Sequence, residues 1–258
     1  MQKEEQKFVA SDILEGMPSI SALIKGIEAK TNNRSIIKIF IDRNKIKSKQ
    51  AELRFLQAKA KELGFSIESV DADEIQRNTV GNTHGGIIAF CTPRVLPGLS
   101  SEHISDKGIY FILEGVEDPY NFGYAVRSLY ASGANGLIVG ERNWMGAAGV
   151  VARSSAGASE LMNLYISSPI DAIHLFRSKG YRILCAGIRD SVSLFDTNLQ
   201  KPLLVILGGE KRGISRSVLE LADQIVRIDY GSSFGGSLST AASTAIFAFE
   251  ILRYNREL

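Results

Sequence analysis

Short apolar runs that alternate with helix-spaced segments constrain this chain more than any other feature of its sequence. From Ile109 onward the runs IYFIL (109–113), NGLIVG (135–140), NLYIS (163–167), YRILCAG (181–187), LLVILGG (203–209) and QIVRID (224–229) read as strands. Helices are predicted after Pro119, around residues 145–156, over PIDAIHLFRSKG (169–180), just after Ser215, and from about Ser237 to Arg253. Strands apolar on both faces belong to a parallel sheet with helices on either side. In such a sheet ligands bind beyond the carboxyl ends of the strands, so the loops that follow the strands are where chemistry is expected. The first ninety residues alternate on a smaller scale. SALIKGIEAK (21–30) and KSKQAELRFLQAKAKEL (47–63) read as helices, and SIIKIFID (35–42), GFSIESV (64–70) and GGIIAF (85–90) as strands. The stretch CTPRVLPGLSSEHISDKG (91–108) carries two prolines and no periodicity, the signature of a linker. The expected organisation is α/β throughout: a small domain at 1–92, a linker at 93–108 and a parallel-sheet domain at 109–258. No internal repeat is visible.

Hydrophobic residues make up 45% of the chain and charged ones 22%, so a folded protein with a real core is expected rather than a disordered one. The start, MQKEEQKFVA, has charges without an apolar stretch behind them and is not a secretory leader. Runs such as PLLVIL and STAIFAF are far shorter than the roughly 18 residues of a membrane span. Cys91 and Cys185 lack paired spacing, which fits reduced thiols, and His84, His103 and His174 form no ligand cluster. A cytoplasmic protein without a metal is expected. Charge is distributed unevenly. Between Lys25 and Lys61 lie eleven basic residues (Arg34 among them) and three acids, a balance of +8, which leaves about −6 for the rest of a chain of net charge +2. The segment is either a solvated helix face or a phosphate-contacting surface, on which Lys45, Lys47, Lys49 and Arg54 are the candidate cations.

Three loops share a style. In DPYNFGYAVR (118–127), Asn121 is either a helix cap or a functional group, and a glycine in the first turn costs about 1 kcal/mol relative to alanine. Helical side chains lean toward the N-terminus, so Arg127 is expected to lie over Gly123 and reach the helix start. In LLVILGGEKRGIS (203–215) a strand runs into Gly208, Gly209, Glu210 and Gly213, more glycine than a plain turn requires. It is neither a dinucleotide fingerprint nor a phosphate-binding P-loop. In IDYGSSFGGSLSTAASTAIFAFEI (228–251) a Gly/Ser-rich loop feeds a helix of small residues, with Ser237, Ser239 and Thr240 near its start.

Together with SSAGASE (154–160), these loops resemble, in order, the motifs of the SpoU/TrmH branch of the SPOUT RNA methyltransferases, over roughly residues 109–254. The first ninety residues resemble the ribosomal-protein-like RNA-binding domain that often precedes this catalytic domain, GNTHGGIIA (81–89) being its closing strand. The resemblance implies a parallel sheet threaded into a deep trefoil knot, a homodimer, and methyl transfer from S-adenosylmethionine to a ribose 2′-hydroxyl, most plainly in ribosomal RNA. Carried over by position, Leu207, Gly208, Gly213, Ile228 and Leu238 contact the cofactor, mainly through backbone, while Asn121, Arg127, Glu210, Ser237 and Ser239 lie at the catalytic end. Because arginine stays protonated, Arg127 is expected to hold the ribose or its phosphate rather than to act as base.

The family's usual Ser-Leu-Asn reads Ser237-Leu238-Ser239 here. A serine lacks the carbonyl and amino group of an asparagine amide. This departure keeps a second reading open, a non-catalytic RNA-binding or assembly protein on a methyltransferase scaffold. A transfer-RNA-directed methyltransferase is a third. A nicotinamide-dependent oxidoreductase is disfavoured, because LEGVEDPYN lacks the glycine fingerprint after its strand.

Overall fold

Burial on both faces sorts the apolar runs into central strands. The computed structural model describes residues 12–79, 81, 83–140 and 144–256; the opening segment MQKEEQKFVA and Asn82 of GNTHGGIIA lie outside the described residues. In chain order the first elements are β1 (Ile13–Glu15), α1 (Gly16–Glu28), β2 (Ile36–Asp42), α2 (Gln50–Leu63), β3 (Ser66–Val70), α3 (Ala72–Arg77) and β4 (Ile87–Cys91). There follow β5 (Ile109–Glu114), α4 (Pro119–Ala131), β6 (Gly136–Val139), α5 (Ala148–Ser154), α6 (Ala158–Leu161), β7 (Leu164–Ile166) and α7 (Pro169–Ser178). The last are β8 (Arg182–Ala186), β9 (Val192–Ser193), β10 (Leu203–Gly208), α8 (Arg216–Leu219), β11 (Gln224–Arg227) and α9 (Thr240–Arg256). They group into two compact units, one of residues up to Val95 with Trp144–Leu161, the other of Leu96–Asn143 with Met162–Leu258.

The first unit is a four-stranded sheet in the order β1-β4-β2-β3, parallel between β2 and β3 and antiparallel elsewhere. Leu14, Ile20, Leu23, Ile39, Leu56 and Ile87 form its core. The segment SSAGASE, expected within the parallel-sheet domain, packs in this unit, where α6 lies against α1. The packing is close enough that a Cβ on Gly157 would sit 2.5 Å from Ala22 Cβ, and Gly157 holds φ +86. Glu160 is only 2% exposed. A buried carboxylate persists only when paired and hydrogen-bonded. Here Asn32 Nδ2 donates to Glu160 Oε2 at 2.7 Å, and Arg34 Nε lies 3.2 Å from the same oxygen. Arg94 donates to Ser159 O at 2.5 Å and to Thr31 O at 3.0 Å. Arg34, counted above with the surface cations, is therefore an interior charge with a fixed partner.

The second unit is a seven-stranded parallel sheet in the order β7-β6-β5-β10-β8-β11-β9. Leu203, Leu204, Val205, Ile206 and Leu207 of β10 are all buried, as a strand flanked by β5 and β8 and covered on both faces requires. Ala172, Ile173 and Phe176 of α7 pack on one face with Val218. On α4, Phe122, Ala125, Val126 and Leu129 are buried, and α9 packs against α4 and β10. Part of the expected linker belongs to this sheet. Leu99 N donates to Ile166 O and Ile166 N to Pro97 O, both at 2.9 Å, so the chain beside Gly98 extends the β7 edge. Tyr110 Oη donates to His103 O at 2.9 Å and Tyr181 Oη to Ser105 O at 2.6 Å, which fastens the rest. The buried thiols of Cys91 and Cys185 are each pushed up to about 12 by burial, so both stay protonated near neutral pH.

Replacing Glu160 by alanine leaves the buried Arg34 guanidinium only the partly exposed Asp12 carboxylate at 3.5 Å and the Thr92 carbonyl among the described residues. The expected cost is about 3 kcal/mol, read as a lower urea midpoint, whereas a midpoint unchanged within error would show that the pair contributes nothing to stability.

Candidate active site

The first loop is set by Asp118, not Asn121. The Asp118 carboxylate caps α4 by accepting from Tyr120 N at 3.4 Å and Asn121 N at 3.0 Å, with Pro119 at the first helical position. Asn121 is thereby released from capping, and its Nδ2 donates to Glu210 Oε1 at 2.9 Å.

In the second loop the glycines are demanded by the backbone. Gly209 N donates to Glu114 O at 2.7 Å and Gly213 N to Gly209 O at 3.0 Å, folding the turn back on itself. A Cβ on Gly208 would meet Gly213 C at 2.3 Å, and one on Gly209 would meet Gly115 O at 2.0 Å. Gly213 holds φ +64. The folded turn presents Glu210 in an exposed position. Beside it Lys211 pairs with Glu117 at 2.5 Å, and this bond holds the Glu117 carboxyl below the usual carboxylate range.

The third loop returns to the same place. Thr240 N donates to Glu210 Oε1 at 3.2 Å, and Thr240 Oγ1 donates to Gly208 O at 2.9 Å. Ser239 Oγ accepts from Ala242 N at 3.2 Å, which makes Ser239 the cap of α9 and explains why the helix starts at Thr240 rather than at Ser237. Serine and asparagine cap about equally well, so the departure at Ser239 leaves the helix start intact.

Loops one to three thus meet at one carboxylate oxygen. Asn121 and Glu210 are brought together, with Ser239 one residue from Thr240. Ser237 is exposed nearby in sequence without a hydrogen bond to a described residue, and Arg127 is exposed on α4 without an ion-pair or hydrogen-bond partner among the described residues. Of the expected cofactor contacts, Ile228 and Leu238 line a cleft of about 490 Å³ with Phe195, Asp229, Tyr230 and Phe234. Leu207, Gly208 and Gly213 are not part of its lining, and the Leu207 side chain is buried in the sheet. Tyr230 Oη accepts from Leu238 N at 3.2 Å across the base of the loop. The Asp229 carboxyl is held below its ordinary range by the Ser193 hydroxyl and by Arg227, whose Nε lies 2.7 Å from Asp229 Oδ1. On the first unit Lys45, Lys47 and Arg54 are exposed, while Lys49 is engaged with Glu52 at 2.7 Å.

Asp118 as the cap and the aromatic residues of the cleft escaped the sequence reading, in which Thr240 stood only as one of several hydroxyls near a helix start. The Asp-Pro pair ahead of an apolar helix is a legible cap signal. Nothing local marks the partners of Thr240, which lie 30 and 32 residues away.

A model of the SpoU rRNA Methylase family matches residues 108–249, and one described as RNA 2′-O ribose methyltransferase substrate binding matches residues 13–96. The chain is 27% identical over 250 residues to the 23S rRNA (guanosine-2′-O-)-methyltransferase RlmB of Shewanella oneidensis, covering 95% of this chain and 98% of that protein. The same-named protein of Photobacterium profundum is 26% identical over 255 residues, with the same coverages. Among solved structures, the AdoMet-bound rRNA methyltransferase of Sinorhizobium meliloti shares the fold at TM-score 0.78 and 18% identity, over 97% of this chain and 94% of that one. The SpoU methyltransferase AviRb of Streptomyces viridochromogenes does so at 0.76 and 19%, over 97% of both chains. Fold and matched segments define an RNA-modifying α/β enzyme, a methylase domain preceded by an RNA-substrate-binding domain. The chain belongs to the SpoU rRNA methylase family.

Glu210→Ala removes the common acceptor of Asn121 and Thr240, with an expected loss of about 1–2 kcal/mol in thermal unfolding. Glu210→Gln keeps an oxygen in place and should lose less than half of that; equal losses would show that the charge, not the acceptor position, matters.

Proposed function

We propose that the protein methylates a ribose 2′-hydroxyl of 23S ribosomal RNA, using S-adenosylmethionine. The observation that carries the reading is the convergence of Asn121, Glu210 and Thr240 at the carboxyl end of β10, with Arg127 exposed on the helix that Asn121 opens and without a partner among the described residues, and with Leu238 lining an apolar cleft. Relatives alike over nearly the whole chain are named for that reaction on that RNA.

The cleft suits the cofactor. Its volume falls in the range of small-molecule sites. Its wall combines aromatic and aliphatic side chains with one acceptor-only carboxylate, Asp229, and none of its lining residues is a lysine or arginine. That composition fits an uncharged nucleoside joined to a cationic sulfur, and it disfavours the pyrophosphate of a dinucleotide. When bound, S-adenosylmethionine supplies a methyl group on positively charged sulfur, which the ribose oxygen takes up as its proton leaves.

The chain's own part is chiefly positioning. Glu210 fixes the starts of α4 and α9 relative to β10, and Gly208 offers backbone where a side chain is excluded. Arg127 holds the ribose or its neighbouring phosphate through its forked N–H groups and stabilises negative charge on the oxygen as the proton passes to phosphate or water. Lys45, Lys47 and Arg54 meet RNA phosphates, a role Lys49 shares only by leaving Glu52. The return of the chain from β11 to Gly208 through Thr240 is the part of the fold in which the family resemblance places a deep trefoil knot. The protein works in the cytoplasm, where its ribosomal substrate lies.

The protein is proposed to act as a homodimer. Tyr120, Tyr124 and Tyr130 expose 41%, 48% and 44% of their surface along α4, an apolar face that a second copy would cover. Sedimentation equilibrium is expected to give twice the chain mass of 28.1 kDa, and a monomer at micromolar concentration would exclude this arrangement.

Labelled methyl transfer to ribosomal RNA from cells lacking the protein tests the activity. Alkali-resistant labelled dinucleotides are expected, because a methylated 2′-oxygen cannot attack the adjacent phosphate. Arg127→Lys should lower kcat by roughly 10²-fold, as loss of a charge-stabilising donor does. Label on neither naked RNA nor ribosomal subunits, with the cofactor still bound, would favour the RNA-binding scaffold; near-normal turnover of Arg127→Lys would rule out the forked contact.

A further inference from the structure

The loop between β11 and α9 carries more aromatic surface than its fold uses. Phe195 and Phe234 line the same cleft, yet each leaves more than half its surface open, 56% and 57%. Burial of a phenylalanine is among the larger apolar gains available to a chain, so two rings left open in the lining of one cleft mark a place where a ligand completes the packing. The Phe234 ring is not loosely placed. It lies against the backbone of Gly236, where a Cβ would come within 2.6 Å of its Cζ, and its centroid is 5.9 Å from that of Tyr230. Tyr230 is in turn tied to Leu238 N, so the base of the loop is fastened below the exposed ring. Ile228 and Leu238 supply the aliphatic floor.

We propose that Phe195 and Phe234 form an aromatic clamp for the adenine ring of the methyl donor, making them the residues that select a purine nucleoside in this cleft. The inference rests on the function proposed above and deepens it. Four features of the wall point to a neutral planar ring. Aromatic faces stack on any flat heterocycle. The aliphatic floor offers no competing hydrogen bonds. The carboxylate of Asp229, held by Arg227, keeps acceptor capacity for amino or hydroxyl groups of a nucleoside. No cation among the lining residues invites a phosphate backbone, so a nucleotide of the RNA is the less suitable guest.

The test is calorimetric titration of the full chain with S-adenosylmethionine and, separately, with adenosine, which keeps the ring and lacks the methionine part. Phe234→Ala is expected to weaken both by about the same factor, on the order of tenfold, as loss of one stacking face does. Phe234→Tyr should retain wild-type affinity, whereas Phe234→Leu, apolar but not planar, should not. Phe195→Ala should behave like Phe234→Ala. Both rings are exposed, so an unchanged melting temperature is the check that the variants fold. Unaltered affinities in Phe234→Ala, full rescue by leucine, or a change confined to the KM for RNA would each overturn the clamp while leaving the methyltransferase reading standing. A wild-type chain that binds no S-adenosylmethionine would overturn both.

Discussion

One carboxylate oxygen, Glu210 Oε1, ties three loops of the parallel-sheet unit together. It accepts from Asn121 Nδ2, 89 residues earlier, and from Thr240 N, 30 residues later. Neither bond is strong by itself, since an exposed hydrogen bond contributes about 1 kcal/mol net. Their value is geometric, because they join the first turns of α4 and α9 to the turn after β10. That turn leaves no latitude: Gly208 and Gly209 sit where a Cβ would overlap backbone atoms, so Glu210 can be aimed in only one direction. The positions of Asn121, Ser239 and Thr240 all follow from where the glycines put that one side chain.

The first unit solves a different problem with similar means. Glu160, Arg34, Asn32 and Arg94 are interior polar groups whose burial is tolerable only as a connected set. At Glu210 the carboxylate faces solvent; around Glu160 the polar groups are sealed and serve the fold. The two glutamates sit in equally motif-like sequence, EKRG and GASE, and burial separates their roles.

The parallel sheet was legible because β5, β6, β8 and β10 are nearly uniform apolar runs, a pattern that covering on both faces imposes. The cap at Asp118-Pro119 was legible in principle from local chemistry. Three features were not. SSAGASE packs beside α1 through contacts more than a hundred residues distant in sequence, which periodicity does not encode. The stretch at 97–108 looked like a linker since its order comes from the edge of β7 and the hydroxyls of Tyr110 and Tyr181, not from its own residues. The short strands β1 and β9, of three and two residues, are shorter than any window over which alternation can be read. Among the candidate site residues, Asn121 and Glu210 were reachable from motif order, whereas the cleft aromatics were not, because Phe195 and Phe234 are 39 positions apart and meet only through the order of the strands.

Charge is divided between binding functions within the second unit. The cleft carries Asp229, and none of its lining residues is a lysine or arginine; Arg127, exposed on α4, has no ion-pair or hydrogen-bond partner among the described residues. A donor with positive sulfur and an acceptor with a polyanionic backbone make opposite demands, and a single mixed-charge pocket would serve neither well. Under the function proposed above, an acceptor in the cleft and a cation on the helix would answer the two demands at separate places. Position 239 carries a separate, structural requirement. The fold needs a cap for α9 there, and a hydroxyl satisfies it by accepting from Ala242 N as an asparagine side chain would.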